Sequence, residues 1–348
     1  MKAWRSIEPG GPERLELCEV PAPSTGAGEL LISVRACGLN FPDSLFMRDL
    51  YQVKLPRPFT PGAEVSGVVA AVGDGVSGFG VGDLVVAVCG HGGLAELVAV
   101  SADRCFRAPR GLAACDAAGF LFTYATAHYA LCRRARLAPN ERVLVLGAGG
   151  GVGLAAVELA TALGAEVFAA ASSEDKLAVA LARGARHGLV YPRDFGSDEG
   201  ARALATAFKD QLGEAGADLV VDPVGGLYAE PALRTVGWEG RYLVIGFAAG
   251  IPRAPLNLPL LKGCQIIGVD WRQFMQRDPT GFAAATKELL AMAERGRIRP
   301  RAAEVVAFEA APQALSRLEA RAAIGKVVVE VTQKSCEPPR AITTASAG

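Results

Sequence analysis

Five glycines fall within the seven residues Gly147-Ala148-Gly149-Gly150-Gly151-Val152-Gly153. They follow the apolar run Val143-Leu144-Val145-Leu146 and open a segment of helical composition. Packing a helix on a strand does not need so many. A turn this bare lets backbone approach a pyrophosphate, and the helix behind it offers free N–H groups and a partial positive charge. The strict G-x-G-x-x-G register fails at its first position, where Ala148 stands, and is met at the second and third by Gly150 and Gly153. The chemistry implied is the binding of a dinucleotide, with Ala148, Gly149, Gly150, Gly151, Val152 and Gly153 as its cradle.

The residue that ends the following strand selects the dinucleotide. Residues 167–171 run into Ser172-Ser173-Glu174-Asp175-Lys176. An acid for the ribose 2′-OH of NADH would fall at Ser172 or Ser173. Two hydroxyls followed by Lys176 suit a 2′-phosphate better, so NADPH is expected. Glu174 and Asp175 admit two readings, charges on a helix dipole or ribose ligands.

The elements that must position this turn follow from pattern. Strand-like runs at 142–146, 166–171, 188–191, 217–222 and 241–246 alternate with helical stretches at 152–163, 175–183 and 200–212. Uninterrupted apolar strands between helices of about ten residues describe a parallel sheet covered on both faces. The first ~120 residues differ. Short strands at 30–35, 64–72 and 83–88 are punctuated by Pro61-Gly62, Gly73-Asp74-Gly75 and Gly82-Asp83, as in a barrel or sandwich. A helix is expected over 116–136, an apolar strand at 265–269, a long helix over 279–295 and a last strand at 326–331.

The 348 residues suggest about two domains. Thirty-six basic residues balance thirty-six acidic ones, which argues against a nucleic-acid or polybasic membrane binder. The longest nearly uncharged stretch, 143–157, is glycine-rich and shorter than the roughly 20 residues a spanning helix needs. The N-terminus lacks the apolar core of a signal peptide. Eight scattered cysteines with no Cys-x-x-Cys spacing form neither a disulfide framework nor a zinc finger. A cytoplasmic protein with reduced thiols is expected. The three histidines, His91, His128 and His187, form no triad.

Several further segments together resemble the zinc-free quinone oxidoreductases of the medium-chain dehydrogenase/reductase superfamily. They are Gly38-Leu39-Asn40-Phe41-Pro42-Asp43, Pro61-Gly62-Ala63-Glu64-Val65-Ser66-Gly67, Val81-Gly82-Asp83, Gly92-Gly93-Leu94-Ala95-Glu96, the Ala148–Gly153 turn and Asp222-Pro223-Val224-Gly225-Gly226. The resemblance implies an α/β fold in which a doubly wound parallel-sheet nucleotide domain is inserted in a split, mainly β, barrel-like catalytic domain. The expected division is 1–122 and 265–334 for the catalytic parts, 123–264 for the nucleotide domain, and 335–348 for a disordered tail.

The same resemblance carries site residues. Relatives with a catalytic zinc hold it with a cysteine where this chain has Asn40 and a histidine where it has Ala63. A four-cysteine zinc loop expected between Cys89 and Cys105 is also missing, so no metal is expected. Without a Lewis acid the acceptor must take hydride readily, as a quinone or an activated double bond does. Asn40 and Tyr51 are implied in the substrate site, Tyr51 as a hydrogen-bond or proton donor, with Asp43 orienting backbone. Thr126 is implied near the nicotinamide ribose, the Gly246-Phe247-Ala248 loop beside the nicotinamide, and Lys176 and Tyr191 at the adenosine end. A homodimer is implied, with 265–269 as a candidate edge strand. The expected function is NADPH-dependent hydride transfer to a quinone or similar acceptor. The alternatives are reduction of an enone or enoyl thioester, and a nucleotide-binding protein without turnover.

Overall fold

A computed structural model describes residues 1–331. The tail expected to be disordered, together with Cys336, lies outside the described residues. Among these, the strands are β1 (Lys2–Ser6), β2 (Leu15–Glu19), β3 (Glu29–Gly38), β4 (Glu64–Val72), β5 (Leu84–Val88), β6 (Leu97–Ser101), β7 (Cys105–Arg107), β8 (Arg142–Val145), β9 (Glu166–Ala171), β10 (His187–Val190), β11 (Ala217–Asp222), β12 (Val236–Val244), β13 (Gln265–Gly268), β14 (Glu304–Ala307) and β15 (Val327–Glu330). No helix among the described residues is long and apolar enough to cross a membrane.

The chain divides into two units. One takes Met1–Leu121, Pro300–Glu319 and the residues from Val327; the other takes Phe122–Arg299 and Ala320–Lys326. The first holds a mainly antiparallel sheet in the order β14-β15-β3-β4-β5-β7, with β6 also on β3. Along β3 burial alternates as far as Ala36, with Leu30, Ile32, Val34 and Ala36 inward and Leu31, Ser33 and Arg35 half-exposed, the period-2 pattern of a sheet with one wet face, before Cys37 and Gly38 are both buried. The end of β3 pairs antiparallel with the last strand, Gly38 facing Val328 and Cys37 facing Val329. On its other side β3 pairs with β4, Val34 facing Gly67, and that close approach requires the glycine. A Cβ there would stand 2.3 Å from the Ser33 carbonyl oxygen.

The second unit is a six-stranded parallel sheet in the order β10-β9-β8-β11-β12-β13. Val143, Val145, Ala170, Val220 and Val221 are wholly buried, as helices on both faces require. The helix Asp198–Leu212 shows how one cover is built. Ser197 caps it, accepting the Gly200 N–H at 3.1 Å. Leu204, Phe208 and Leu212 repeat every four residues and are buried, and Gly213 ends it at φ +71°. Each such side chain contributes about 1.5–3 kcal/mol on burial.

Two expectations are corrected here. The strand at 265–269 was placed in the catalytic part, but β13 pairs in parallel with β12, Tyr242 facing Ile266, and so belongs to the nucleotide sheet. The nucleotide unit therefore runs on to Arg299. The single helix over 116–136 is three pieces. Ala114–Ala118 stops at Gly119, Leu121–His128 follows, and Tyr129–Arg134 winds as a π-helix. The wider turn accompanies the Tyr129 ring stacked on Phe274, centroids 4.3 Å apart and 7° from parallel.

Candidate functional site

In the second unit the glycine turn leaves the C-terminal end of β8. Gly147 has φ +57°, a conformation that costs glycine little. The Ala148 N–H donates to the Ala170 carbonyl, and Gly150 begins the helix Gly151–Ala162 as its N-cap. The glycines differ in purpose. A Cβ on Gly153 would stand 2.1 Å from the Gly147 carbonyl oxygen, and one on Gly149 would stand 2.5 Å from the Lys176 Cβ; these two permit close packing. A Cβ on Gly150 meets only the Gly147 oxygen at 3.4 Å, so space lies open there. A bare N-cap of this kind has the room and the free N–H groups to admit a pyrophosphate. Val152, in the first turn of this helix, is half-buried beside it.

The next strand, β9, ends at Ala171. Ser173 caps the helix Glu174–Ala182, accepting the Lys176 N–H at 3.4 Å, and Ser172 is half-buried. Glu174 and Asp175 are exposed in that helix's first turn, where a dipole favours acids. Lys176 is buried, and its Nζ donates to the Arg321 carbonyl at 2.7 Å. Burial first, then the charges of Arg193 and Arg321, push this ammonium below the usual lysine range. Three cations gathered around one place repel one another, and a phosphate carrying close to two negative charges relieves that. Sequence reasoning missed Arg193 and Arg321. Arg193 could have been flagged by its place two residues after Tyr191; nothing local marks Arg321.

Tyr191 is enclosed in the hydrophobic core, its ring 4.8 Å from that of Tyr228. Burial raises its phenol, while a backbone hydrogen bond from Gly147 opposes the rise. Asp222, at the end of β11, accepts the Val224 and Gly225 N–H groups, each at 2.8 Å, and the Tyr242 hydroxyl at 2.5 Å. The Gly246-Phe247-Ala248 loop is stapled to that turn, the Ala249 N–H donating to the Val224 carbonyl and the Gly226 N–H to that of Gly250, each at 2.7 Å. Phe247 is exposed. Thr126 is buried and its hydroxyl donates to the Phe122 carbonyl at 2.6 Å, one turn back.

In the first unit Asn40 caps the helix Phe41–Met47. Its backbone N–H donates to Asp43 at 2.7 Å, and the other Asp43 oxygen accepts the Gly62 N–H at 3.2 Å. The Asn40 carboxamide donates to Glu64 at 3.0 Å and to the Gly38 carbonyl at 3.2 Å. Asn40, Asp43 and Glu64 are all buried. Tyr51 is half-buried with its ring 4.4 Å from Phe46. The residues at the place of a catalytic zinc do not fit one. A carboxamide and Ala63 replace two donors, and no group of three His, Cys, Asp or Glu that could hold a metal exists among the described residues.

Residues 26–110 match the Alcohol dehydrogenase GroES-like domain, and residues 151–290 match the Zinc-binding dehydrogenase family. Quinone oxidoreductase-like protein 2 of Rattus norvegicus is 36% identical over 319 residues, covering 91% of this chain and 89% of that protein. A mycobacterial protein solved with NADPH superimposes with a TM-score of 0.87 at 31% identity, over 95% of this chain and 100% of that one. The Escherichia coli quinone oxidoreductase solved with NADPH gives 0.85 at 25% identity, again over 95% and 100%. An open glycine N-cap, with Lys176 under the charges of Arg193 and Arg321, thus occurs in a chain 95% of which superimposes on proteins solved with NADPH: the protein is an NADPH-dependent oxidoreductase and belongs to the quinone oxidoreductase family of the medium-chain dehydrogenase/reductase superfamily.

Proposed function

We propose that the protein reduces a quinone, or an acceptor activated to the same degree, without a metal. The observation that carries this is the Asn40 carboxamide tied to Glu64 and Gly38. With those groups bonded to one another, and no group of three His, Cys, Asp or Glu able to hold a metal among the described residues, an unactivated carbonyl would go unpolarised. NADPH, when bound, supplies a hydride from its nicotinamide.

The chain's own residues bind, orient and shield. The Gly150 N-cap takes the pyrophosphate, and Lys176, Arg193 and Arg321 hold the 2′-phosphate. The loops fastened by Asp222 fix the wall at Phe247. Tyr51, braced by Phe46, offers its hydroxyl to the acceptor oxygen. We also infer a homodimer and a reducing, cytoplasmic setting. Its support is the free edge of β13 with Ile266 exposed, next to exposed Trp238, Leu260 and Leu261. The Trp238 ring lies 3.5 Å from where a Cβ of Gly263 would be, which joins these residues in one patch. Seven described cysteines lie outside any disulfide.

The deciding experiment follows NADPH oxidation over quinones, enones and simple aldehydes, with and without a chelator. Quinones should turn over, aldehydes should not, and the chelator should change nothing. Aldehyde reduction abolished by the chelator would overturn the reading. Turnover of enones alone, lost in Tyr51→Phe, would assign reduction of a carbon–carbon double bond instead. Light scattering at micromolar concentration should give twice the chain mass, and a monomer would contradict the assembly.

A further inference from the structure

Arg193 and Arg321, the two arginines set beside Lys176, are both exposed. An exposed arginine on a wandering loop loses much of its attraction for a phosphate in ordering itself. Each is instead held by its main chain. The chain re-enters the nucleotide unit as a strap of seven residues, Ala320–Lys326, and there the Arg321 carbonyl accepts the Lys176 ammonium at 2.7 Å. The Arg193 carbonyl accepts the Tyr228 hydroxyl at 2.6 Å, and the Pro192 carbonyl lies 3.1 Å from the same oxygen. A phenol has a single hydrogen, so the shorter contact takes it. The rest of the loop is fixed as well. Two residues before Arg193, the Tyr191 N–H donates to the Ala171 carbonyl at 2.9 Å. Pro192 has its φ locked by its ring. The Asp194 carboxylate accepts the Gly196 N–H at 3.0 Å, which ties the loop's acid to its own turn. Phe195 meets the Tyr228 ring edge-on, centroids 5.4 Å apart at 78°.

Tyr228 is buried and closes the short helical turn Gly226–Tyr228 that follows the Asp222 turn. Its ring packs on Tyr191 and Phe195, and a phenylalanine would fill that space equally. Only the hydroxyl reaches the loop. Burial raises the phenol, and the charges of Arg321 and Arg193 oppose the rise, so the hydroxyl lies within the field of both cations. We propose that Tyr228 is a positioning residue for cofactor preference: its hydroxyl pins the Arg193 backbone, so that the guanidinium is ordered before the 2′-phosphate of NADPH arrives. The proposal rests on the reading of Lys176, Arg193 and Arg321 as the holders of that phosphate and deepens it. NADH has no phosphate at this place, so the tether does nothing for its binding.

The test compares Tyr228→Phe, Arg193→Ala and the double variant. Dissociation constants for NADPH and NADH are measured alongside the melting temperature of the cofactor-free protein. Tyr228→Phe should weaken NADPH about 3- to 10-fold, the cost of ordering one arginine, and leave NADH where it was. Arg193→Ala should weaken NADPH by more. In that background Tyr228→Phe should cost NADPH nothing further, because the tether then holds no charge. A merely structural tyrosine would lower the melting temperature and weaken both cofactors alike or neither, and either result overturns the proposal. So does a further loss of NADPH in the double variant, which would mean that the hydroxyl acts on the cofactor itself. Failure of Tyr228→Phe to fold overturns it too, since the hydroxyl would then hold the fold and not the loop. Arg193→Ala that weakens both cofactors alike, or neither, would instead overturn the underlying reading of the cations.

Discussion

The Lys176 ammonium donates to the backbone carbonyl of Arg321, 145 residues further along the chain, at 2.7 Å. One contact thereby fixes the lysine and brings a second cation to it. Arg321→Ala should weaken NADPH about 10- to 100-fold while NADH changes little, since a charge-assisted bond contributes about 1.5–3 kcal/mol. Lys176→Ala should show the same selectivity and also a lower melting temperature, because the strap loses its anchor. Dissociation constants for both cofactors decide the matter. A parallel loss would show that the cluster does not read the 2′-phosphate.

Gly150→Val should remove dinucleotide binding and leave the fold intact. The Cβ itself has room, 3.4 Å from its one neighbour, but the branched methyls would fill the space open to a pyrophosphate. Far-UV circular dichroism should be unchanged and cofactor titration flat. Gly153→Val should unfold the unit instead, because its Cβ already meets backbone at 2.1 Å.

Asp222→Ala should cost about 2–4 kcal/mol in a urea titration, since it strands two buried N–H groups and the Tyr242 hydroxyl. Tyr242→Phe loses one bond and should cost about 1 kcal/mol. Equal, small effects would mean that the Asp222 turn is held by its glycines alone.

His128 gives the acid side of the stability curve a definite sign. It is buried, its Nδ1 has no hydrogen-bond partner among the described residues, and its Nε2 lies 3.2 Å from the Glu288 carboxylate. Burial holds its pKa below the ordinary value, Arg133 adds to that, and Glu288 opposes it. A base depressed in the folded state leaves stability intact above its unfolded pKa of about 6.5 and removes it as pH falls below. His128→Phe should therefore flatten the fall in melting temperature between pH 7.5 and 5, approximately the window set by that unfolded value. An unchanged acid slope would point to other groups, His91 first, which burial also depresses.

What was legible in the sequence was what is local. The turn shows itself because its glycines cluster, and β11 because it is built on the apolar run Leu219-Val220-Val221. Asn40 and Ala63 could be read by identity alone, the one a carboxamide and the other without a donor side chain. What was hidden depends on partners distant in the chain. Gln265–Gly268 is four residues long and mostly exposed, and only pairing with β12 shows which unit it joins. Arg193 and Arg321 converge through tertiary structure. Gly119 ended a helix that composition alone carried through.

The pairing of β3 with β15 has a consequence in time. From Gly38 to its partner Val328 the chain runs 328 − 38 = 290 residues. At roughly 5–20 residues per second, a ribosome takes about 15–60 s to deliver the second strand. Throughout that interval the end of β3, whose Ala36 and Cys37 are destined to be wholly buried, presents an open row of backbone donors and acceptors. Neighbouring nascent chains on one messenger carry the same edge, and such edges pair with each other. Synthesis of this protein is therefore exposed to mispairing for most of its duration, and the yield of native chains should respond more to elongation rate and chaperone supply than the finished fold would suggest.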